Sequence, residues 1–274
     1  MKELTIGLIQ MPVVEDKQTN LDTAAAMAGQ AAKAGAQIVC LPEMFACQYE
    51  NHSFIENQEE AGGKIWQTLS AIARENHVIL IGGSFPESDG GRLYNSCFIF
   101  DENGQQIGRH RKVHLFDVDV AGGISFKESD TFTAGSDFTV LETSLGRIGV
   151  EICFDIRFVE QTRLMALDGA QLIFVPAAFN MTTGPAHWDL TFRARALDNQ
   201  VYMCGCSPAR DENGPYVAYG GSIITSPWGE IVDKLDEKPG ILLQTVDMSR
   251  VEAVRSQLPI LSARRKDLYR LEEI

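Results

Sequence analysis

Apolar runs of strand length alternate along this chain with segments of helix length. Strands are predicted at 4–11, 37–42, 78–83, 95–100, 148–153, 171–176, 200–206, 220–225 and 241–246. Helices are predicted at about 20–34, 62–76, 158–168, 185–198 and 249–257. Asn20 stands where it would cap the first helix, and Gly35 where a left-handed residue would end it. This alternation predicts an α/β fold. The unbroken apolar runs predict strands covered on both faces.

The pattern is written twice. Thr5-Ile6-Gly7-Leu8-Ile9-Gln10-Met11 matches Arg147-Ile148-Gly149-Val150-Glu151-Ile152-Cys153. The run from Ala34 to Pro42 matches Asp168 to Pro176, and Val78 to Ser84 matches Val201 to Ser207. Each half then carries a hairpin, turned by Asn103-Gly104 in the first and by Pro227-Trp228-Gly229 in the second. Two such halves predict two facing sheets with helices outside. Any α/β protein shows some helix-glycine-strand similarity, but here the matches keep the same order. Met11 aligns with Cys153 and Ala177 with Glu43, so the two halves share a frame and differ in chemistry at the strand ends.

Composition narrows the class. Of 274 residues, 45% are apolar, enough for a large core, and no Pro/Ser-rich linker separates the halves. A single domain over 1–274 is therefore expected. A formal net charge of −13 argues against a general nucleic-acid or anionic-membrane surface. No apolar run approaches the roughly 18 residues of a membrane span. The first ten residues read as a strand rather than a signal peptide. Six cysteines without a Cys-x-x-Cys pair, and five scattered histidines, give no zinc spacing and suit a cytoplasmic protein with free thiols.

Three residues carry candidate chemistry. Cys153 ends a strand and precedes a turn and a helix, where a thiol meets backbone N–H groups able to serve an oxyanion. A buried cysteine acting as a small hydrophobe is the plainer alternative. Glu43 follows the apolar run 38–42, where a carboxylate needs partners and where partial burial suits a general base; it equally suits a solvated loop opening. Lys112 alternates with Arg109 and Arg111 in a basic run whose two arginines read as surface residues.

Leu41-Pro42-Glu43, Arg111 to Phe116, and Gly149 to Phe158 resemble the three signature segments of the nitrilase superfamily of carbon-nitrogen hydrolases, over essentially the whole chain. The resemblance implies a four-layer α-β-β-α sandwich, a Glu43–Lys112–Cys153 triad and a homodimer or larger assembly. Lys112 to Asp119, Phe126 to Ser129, Phe179 to Trp188, Arg193 to Tyr202 and Ser207 to Asp211 resemble its ω-amidase branch. That implies hydrolysis of the ω-amide of 2-oxo dicarboxylic acid monoamides, such as 2-oxoglutaramate and 2-oxosuccinamate, to the dicarboxylate and ammonia through a cysteine thioester. Glu128 resembles the family's second glutamate, which hydrogen-bonds the lysine. Phe154 stands where a tyrosine is expected, but the role there belongs to the backbone N–H.

No metal or organic cofactor is needed by this scheme. An anionic substrate meeting a protein of charge −13 requires a local cation. Arg157, four residues after Cys153, is the candidate, since related carbamoyl-amidases carry an arginine at this spacing; an ion pair with Asp155 or Glu160 is the alternative. Tyr49, Phe116, Phe154 and Phe179 are further pocket candidates, and the loop 44–49 is expected to line the acyl pocket. His114 and His187 would matter as a Cys-His pair only within about 3 Å of Cys153. Rival readings are another superfamily amidase, a carbamoyl-amidase or nitrilase, and a non-catalytic thiol-regulated binding protein.

Overall fold

The computed structural model describes residues 3–273. The first half runs β1 (Glu3–Gln10), α1 (Lys17–Lys33), β2 (Ile38–Cys40), α2 (Asn51–Asn57), α3 (Lys64–Asn76), β3 (Ile79–Ile81), β4 (Phe85–Asp89), β5 (Arg92–Phe100) and β6 (Gln106–Arg111). A small hairpin of β7 (Asp117–Asp119) and β8 (Ser125–Lys127) follows. The second half runs β9 (Thr139–Thr143), β10 (Gly146–Val150), α4 (Val159–Leu167), β11 (Leu172–Pro176), α5 (Gly184–Asn199), β12 (Tyr202–Cys206), β13 (Ile223–Thr225) and β14 (Ile231–Lys234), then β15 (Gly240–Asp247) and α6 (Ser249–Gln257).

The duplication seen in the sequence is the architecture. β1, β2 and β3 are parallel, and so are β10, β11 and β12. In each sheet an antiparallel pair extends the parallel trio on one side: β5 and β6 in the first, β13 and β14 in the second. An antiparallel strand closes the other side: β9 beside β10, and β15 beside β1 with Glu3 opposite Asp247.

Alternation along the strands assigns the two faces. Ile6, Leu8, Ile38, Cys40, Ile79 and Cys97 of the first sheet pack with Ile148, Val150, Leu172, Phe174 and Cys204 of the second. The Cys206 thiol crosses this interface to the Cys40 carbonyl at 3.2 Å and the Ile9 carbonyl at 3.4 Å. The intervening residues Ile9, Val39, Leu41, Leu80 and Phe98 pack outward on Leu21, Ala24 and Ala28 of α1 and Ile65 and Leu69 of α3. Helices α4 and α5 cover the second sheet, giving the four-layer α-β-β-α sandwich. The aligned glycines Gly7 and Gly149 serve one purpose: a Cβ on Gly7 would lie 3.0 Å from Ala31 of α1, and one on Gly149 would lie 3.1 Å from the Met165 sulfur of α4.

Local readings differ in places. Helix α1 starts at Lys17, capped by Asp16, whose carboxylate accepts from the Thr19 N–H at 2.8 Å. Asn20 is instead buried and brackets the Val14 backbone with bonds of 2.8 and 2.7 Å. Gly35 is left-handed as expected, at φ 103°. The added strands β4, β7, β8 and β9 carry polar or half-exposed residues, so no apolar run marks them. Arg109 and Arg111 are not merely solvated: both pair with the fully buried Glu87.

Candidate active site

Chain reversal at two strand ends brings the candidates together. After β2 the chain turns at Met44, a left-handed residue at φ 53°, and the Met44 N–H is held by the Ser84 hydroxyl at 3.1 Å. Gly83 allows this turn to close, because a side chain there would run into the Pro42 carbonyl. After β10 the chain turns at Cys153, left-handed at φ 47°, into a 3-10 turn over Cys153–Arg157. Left-handed non-glycine residues are costly and persist where the surroundings hold them. Lys112 directly follows β6, with its N–H on the Asn95 carbonyl at 2.9 Å. Strand alternation turns His110 and Lys112 inward, both fully buried.

The buried Lys112 ammonium is the hub. Its Nζ lies 2.8 Å from Glu43 Oε1 and 2.9 Å from Glu128 Oε2. Burial opposes its charge, yet Glu128 and Glu43 together hold it well above the ordinary lysine pKa. Burial and Glu43 push the Glu128 carboxyl up, against Lys112. Every Glu128 partner is nevertheless a donor: Lys112, the Asn95 amide at 3.0 Å and the Phe116 N–H at 2.6 Å. That set fits a carboxylate. Glu43 Oε1 also accepts from the Asn95 amide at 2.9 Å and the Tyr49 hydroxyl at 3.4 Å, and Oε2 accepts from the Ala178 N–H at 2.9 Å. The Cys153 thiol, 5% exposed, meets both Glu43 and the Ala178 N–H. Burial and then the Glu43 charge push its pKa well above that of a free thiol, so the resting group is the neutral S–H.

Below Cys153 a second buried network fixes the turn. Asp155 accepts from His110 Nε2 at 3.0 Å, from the His114 backbone N–H and Nδ1 at 2.9 Å each, and from the Ile152 N–H at 3.0 Å. Burial opposes its charge, but the His110 and His114 bonds hold it well below the usual carboxylate range. Arg195 donates to the Ile156 carbonyl at 2.7 Å and the Arg157 carbonyl at 3.1 Å. His114 therefore serves Asp155. His187 lies on Arg157, its Nδ1 3.1 Å from Nη1.

A small pocket opens on Cys153, lined by Phe116, Phe154, Arg157, Ala178, Phe179, Thr183 and Tyr216. Four predicted pocket residues, Arg157, Phe116, Phe154 and Phe179, are thus gathered there. Tyr49 stands beside the triad. Its hydroxyl reaches Glu43 and Lys112, both at 3.4 Å, and its ring packs at a tilt against Tyr216. With Met44, Cys47 and Gln48 it lines a neighbouring cavity that takes in Glu43 and shares Ala178 and Tyr216 with the Cys153 pocket. Arg157 lies over the Phe179 ring at 4.7 Å and, among the described residues, has no carboxylate within ion-pair distance. The alternative pairing with Asp155 fails because the histidines and Ile152 occupy that carboxylate. Sequence reading missed Asn95, Tyr216 and the Ala178 N–H. Asn95 could have been marked as the polar start of an otherwise apolar strand; a backbone donor has no side-chain signal.

Known proteins were compared with this chain. The sequence profile of the carbon-nitrogen hydrolase family matches residues 5–256. A Xenopus tropicalis protein named Omega-amidase NIT2 is 47% identical over 273 residues, covering 100% of this chain and 99% of the relative. The Homo sapiens protein of that name is 43% identical and covers 99% of each chain. Among solved structures, Saccharomyces cerevisiae Nit3, a member of branch 10 of the nitrilase superfamily, superposes with a TM-score of 0.88 at 36% identity over 97% of each chain. The profile and these full-length likenesses agree with a buried Glu, Lys and Cys set at the ends of facing sheets: the chain belongs to the carbon-nitrogen hydrolase family.

Proposed function

We propose that this protein is an ω-amidase that hydrolyses the side-chain amide of 2-oxo dicarboxylic acid monoamides, with Cys153 as nucleophile. The observation that carries the reading is the contact of the Cys153 thiol with Glu43, itself 2.8 Å from Lys112 Nζ, at a pocket lined by Arg157, which has no acid partner among the described residues. Full-length relatives named Omega-amidase support the substrate class.

Because the resting thiol is neutral, activation needs a base in contact with it, and Glu43 is that base. Glu43 takes the thiol proton as sulfur attacks the amide carbon. The oxygen gains its charge beside Lys112 and the Phe154 N–H, which opens the 3-10 turn among the donors that such a turn leaves unpaired. Glu43 then passes its proton to the nitrogen, the C–N bond breaks, and ammonia leaves a thioester. A water gives a proton to Glu43 and attacks; the C–S bond breaks and the proton returns to sulfur. Glu128 accepts from Lys112 throughout and keeps it charged and aimed. The scheme uses no metal or cofactor.

Ammonia release from 2-oxoglutaramate, compared with glutamine, asparagine, a nitrile and an N-carbamoyl amino acid, tests the reading. The 2-oxo amide is expected to turn over fastest, and Cys153→Ala to be inactive. Faster turnover of the nitrile or carbamoyl compound, or an active Cys153→Ala enzyme, would reject it.

Arg157 is the carboxylate anchor. It is half-buried, stacked on Phe179, and held by His187. Burial lowers its pKa, but a guanidinium stays protonated in proteins. Arg157→Gln is expected to raise KM for 2-oxoglutaramate about 10²-fold, the worth of a charge-assisted bidentate contact of roughly 2–3 kcal/mol. A small neutral amide should be hydrolysed at an unchanged rate. Equal losses for both substrates would remove Arg157 from this role.

The triad draws Glu43 and Lys112 from one half and Cys153 from the other, which supports a single domain over 1–274. We also propose a homodimer or larger assembly. Leu190 and Leu197 expose one side of α5, 66% and 41% accessible, and Trp228 nearby is 47% accessible. Cytoplasmic residence is our reading of the free thiols, although a relative from Arabidopsis thaliana is named Omega-amidase, chloroplastic. Among the described residues, no helix is long and apolar enough to cross a membrane.

A further inference from the structure

We propose that Asn95 is a positioning residue that makes the two oxygens of Glu43 chemically unequal, so that Oε2 receives the Cys153 proton. The inference rests on Glu43 being the base. Asn95 is 1% exposed, and its amide nitrogen donates to both Glu43 Oε1 at 2.9 Å and Glu128 Oε1 at 3.0 Å. Its carbonyl oxygen, although buried, has no hydrogen-bond partner among the described residues. An orphaned buried acceptor costs free energy. The opposite orientation would aim that oxygen at two carboxylates, so the amide is fixed in the direction that serves them.

The consequence lies in the count of donors. Oε1 of Glu43 accepts from Lys112, Asn95 and Tyr49. Among the described residues Oε2 accepts only from the Ala178 N–H, and that same N–H also meets the Cys153 thiol. Oε2 therefore carries fewer donors than Oε1 and shares its backbone donor with the thiol. Three donors on Oε1 leave it the weaker acceptor for a proton, and the proton is directed to Oε2.

Asn95 also spans both members of the carboxylate pair. Its backbone carbonyl holds the Lys112 N–H at 2.9 Å, so one residue registers all three groups. The titratable groups facing Glu43 are Lys112, Glu128, Tyr49, Cys153 and Tyr216. None of these is an uncharged donor shared by both carboxylates. Removing the amide donor destabilises the ionised forms and raises the pH at which the pair takes up a proton.

The test is the pH profile of kcat/KM in Asn95→Leu, with isosteric Asn95→Asp as the second variant should the first not fold. The acid limb is expected to move up by about one pH unit in Asn95→Leu, the worth of one hydrogen bond to a charged group. It should move at least as far in Asn95→Asp, with KM little changed in both. Loss of kcat with the acid limb in its original place would make Asn95 merely structural and overturn the proposal. Glu43→Gln is run beside them: retained turnover there would end the general-base reading itself, whereas an inactive Glu43→Gln with an unmoved limb in the Asn95 variants would end only this inference.

Discussion

Lys112→Met is expected to abolish turnover and also to destabilise the fold by about 3–5 kcal/mol, the usual cost of removing one partner from a buried ion pair. Methionine matches the length of the stem and the volume of the site, so packing contributes little. What remains is Glu43 and Glu128, each fully buried, with both left facing the place where Nζ stood at 2.8 and 2.9 Å. Asn95, the Phe116 N–H and the Ala178 N–H are then too few to hold two charges, and one carboxyl must take a proton. Its folded-state pKa then lies above the unfolded value near 4.3. The neutral acid is stable in the fold below that value, and this stability is lost as pH rises. The deficit of Lys112→Met against the parent should therefore be smaller at pH 5 than at pH 7.5 in urea denaturation. A deficit independent of pH would show that the carboxylates do not face each other once the lysine is gone.

The second large effect is alkaline. Burial pushes the thiols of Cys40, Cys47, Cys97, Cys153 and Cys204 upward, Cys47 to about 12. In the unfolded chain the same groups titrate near 8.5. Stability is thus intact below pH 8.5 and falls as pH rises toward the folded-state values, because only the unfolded chain gives up these protons. At pH 10 each thiol that stays neutral in the fold costs about 2 kcal/mol, and five cost about 10 kcal/mol, comparable with the whole stability of a typical domain. Urea midpoints should fall steeply between pH 8.5 and 10 while changing little from pH 7 to 8. Cys97→Ala, which loses one of the five, should show a shallower fall measured against its own stability at pH 7. A flat profile would mean that the inter-sheet thiols reach solvent without unfolding.

The fold was legible because burial on both faces leaves an unmistakable trace. Ile38-Val39-Cys40 and Leu172-Ile173-Phe174-Val175-Pro176 are continuous apolar runs, and the glycines at 7 and 149 repeat for the same steric reason. The strands that escaped reading, β7 and β8 above all, have alternating exposed residues and no core to match. At the site, Glu43 and Cys153 could be found because each ends such a run. Lys112 could be found only through its motif, since a lysine next to two arginines gives no sign of which one is buried. That Tyr49 reaches Glu43 and Lys112 was not legible, because the chain turns at Met44 and a left-handed methionine leaves no mark in sequence. Asp155 looked like a partner for Arg157 from two positions away; the histidines that occupy it come from β6 and the segment after it, more than forty residues earlier in the chain.

Strand β15 bears on how the molecule is made. Its residues 240–247 pair with residues 3–10, so the central parallel trio of the first sheet has an open edge until residues 240–247 have been synthesised. The second sheet has no such wait, since β9 and β10 are neighbours in sequence. Pairings of such long sequence separation are paid for in loop entropy before they return any free energy, and they form late. On the ribosome the first half would carry a β1 with one edge unpaired while the second is still emerging, and an exposed apolar edge is a site for wrong pairing. Order of synthesis and order of completion are therefore reversed: the half translated first is the half that finishes last.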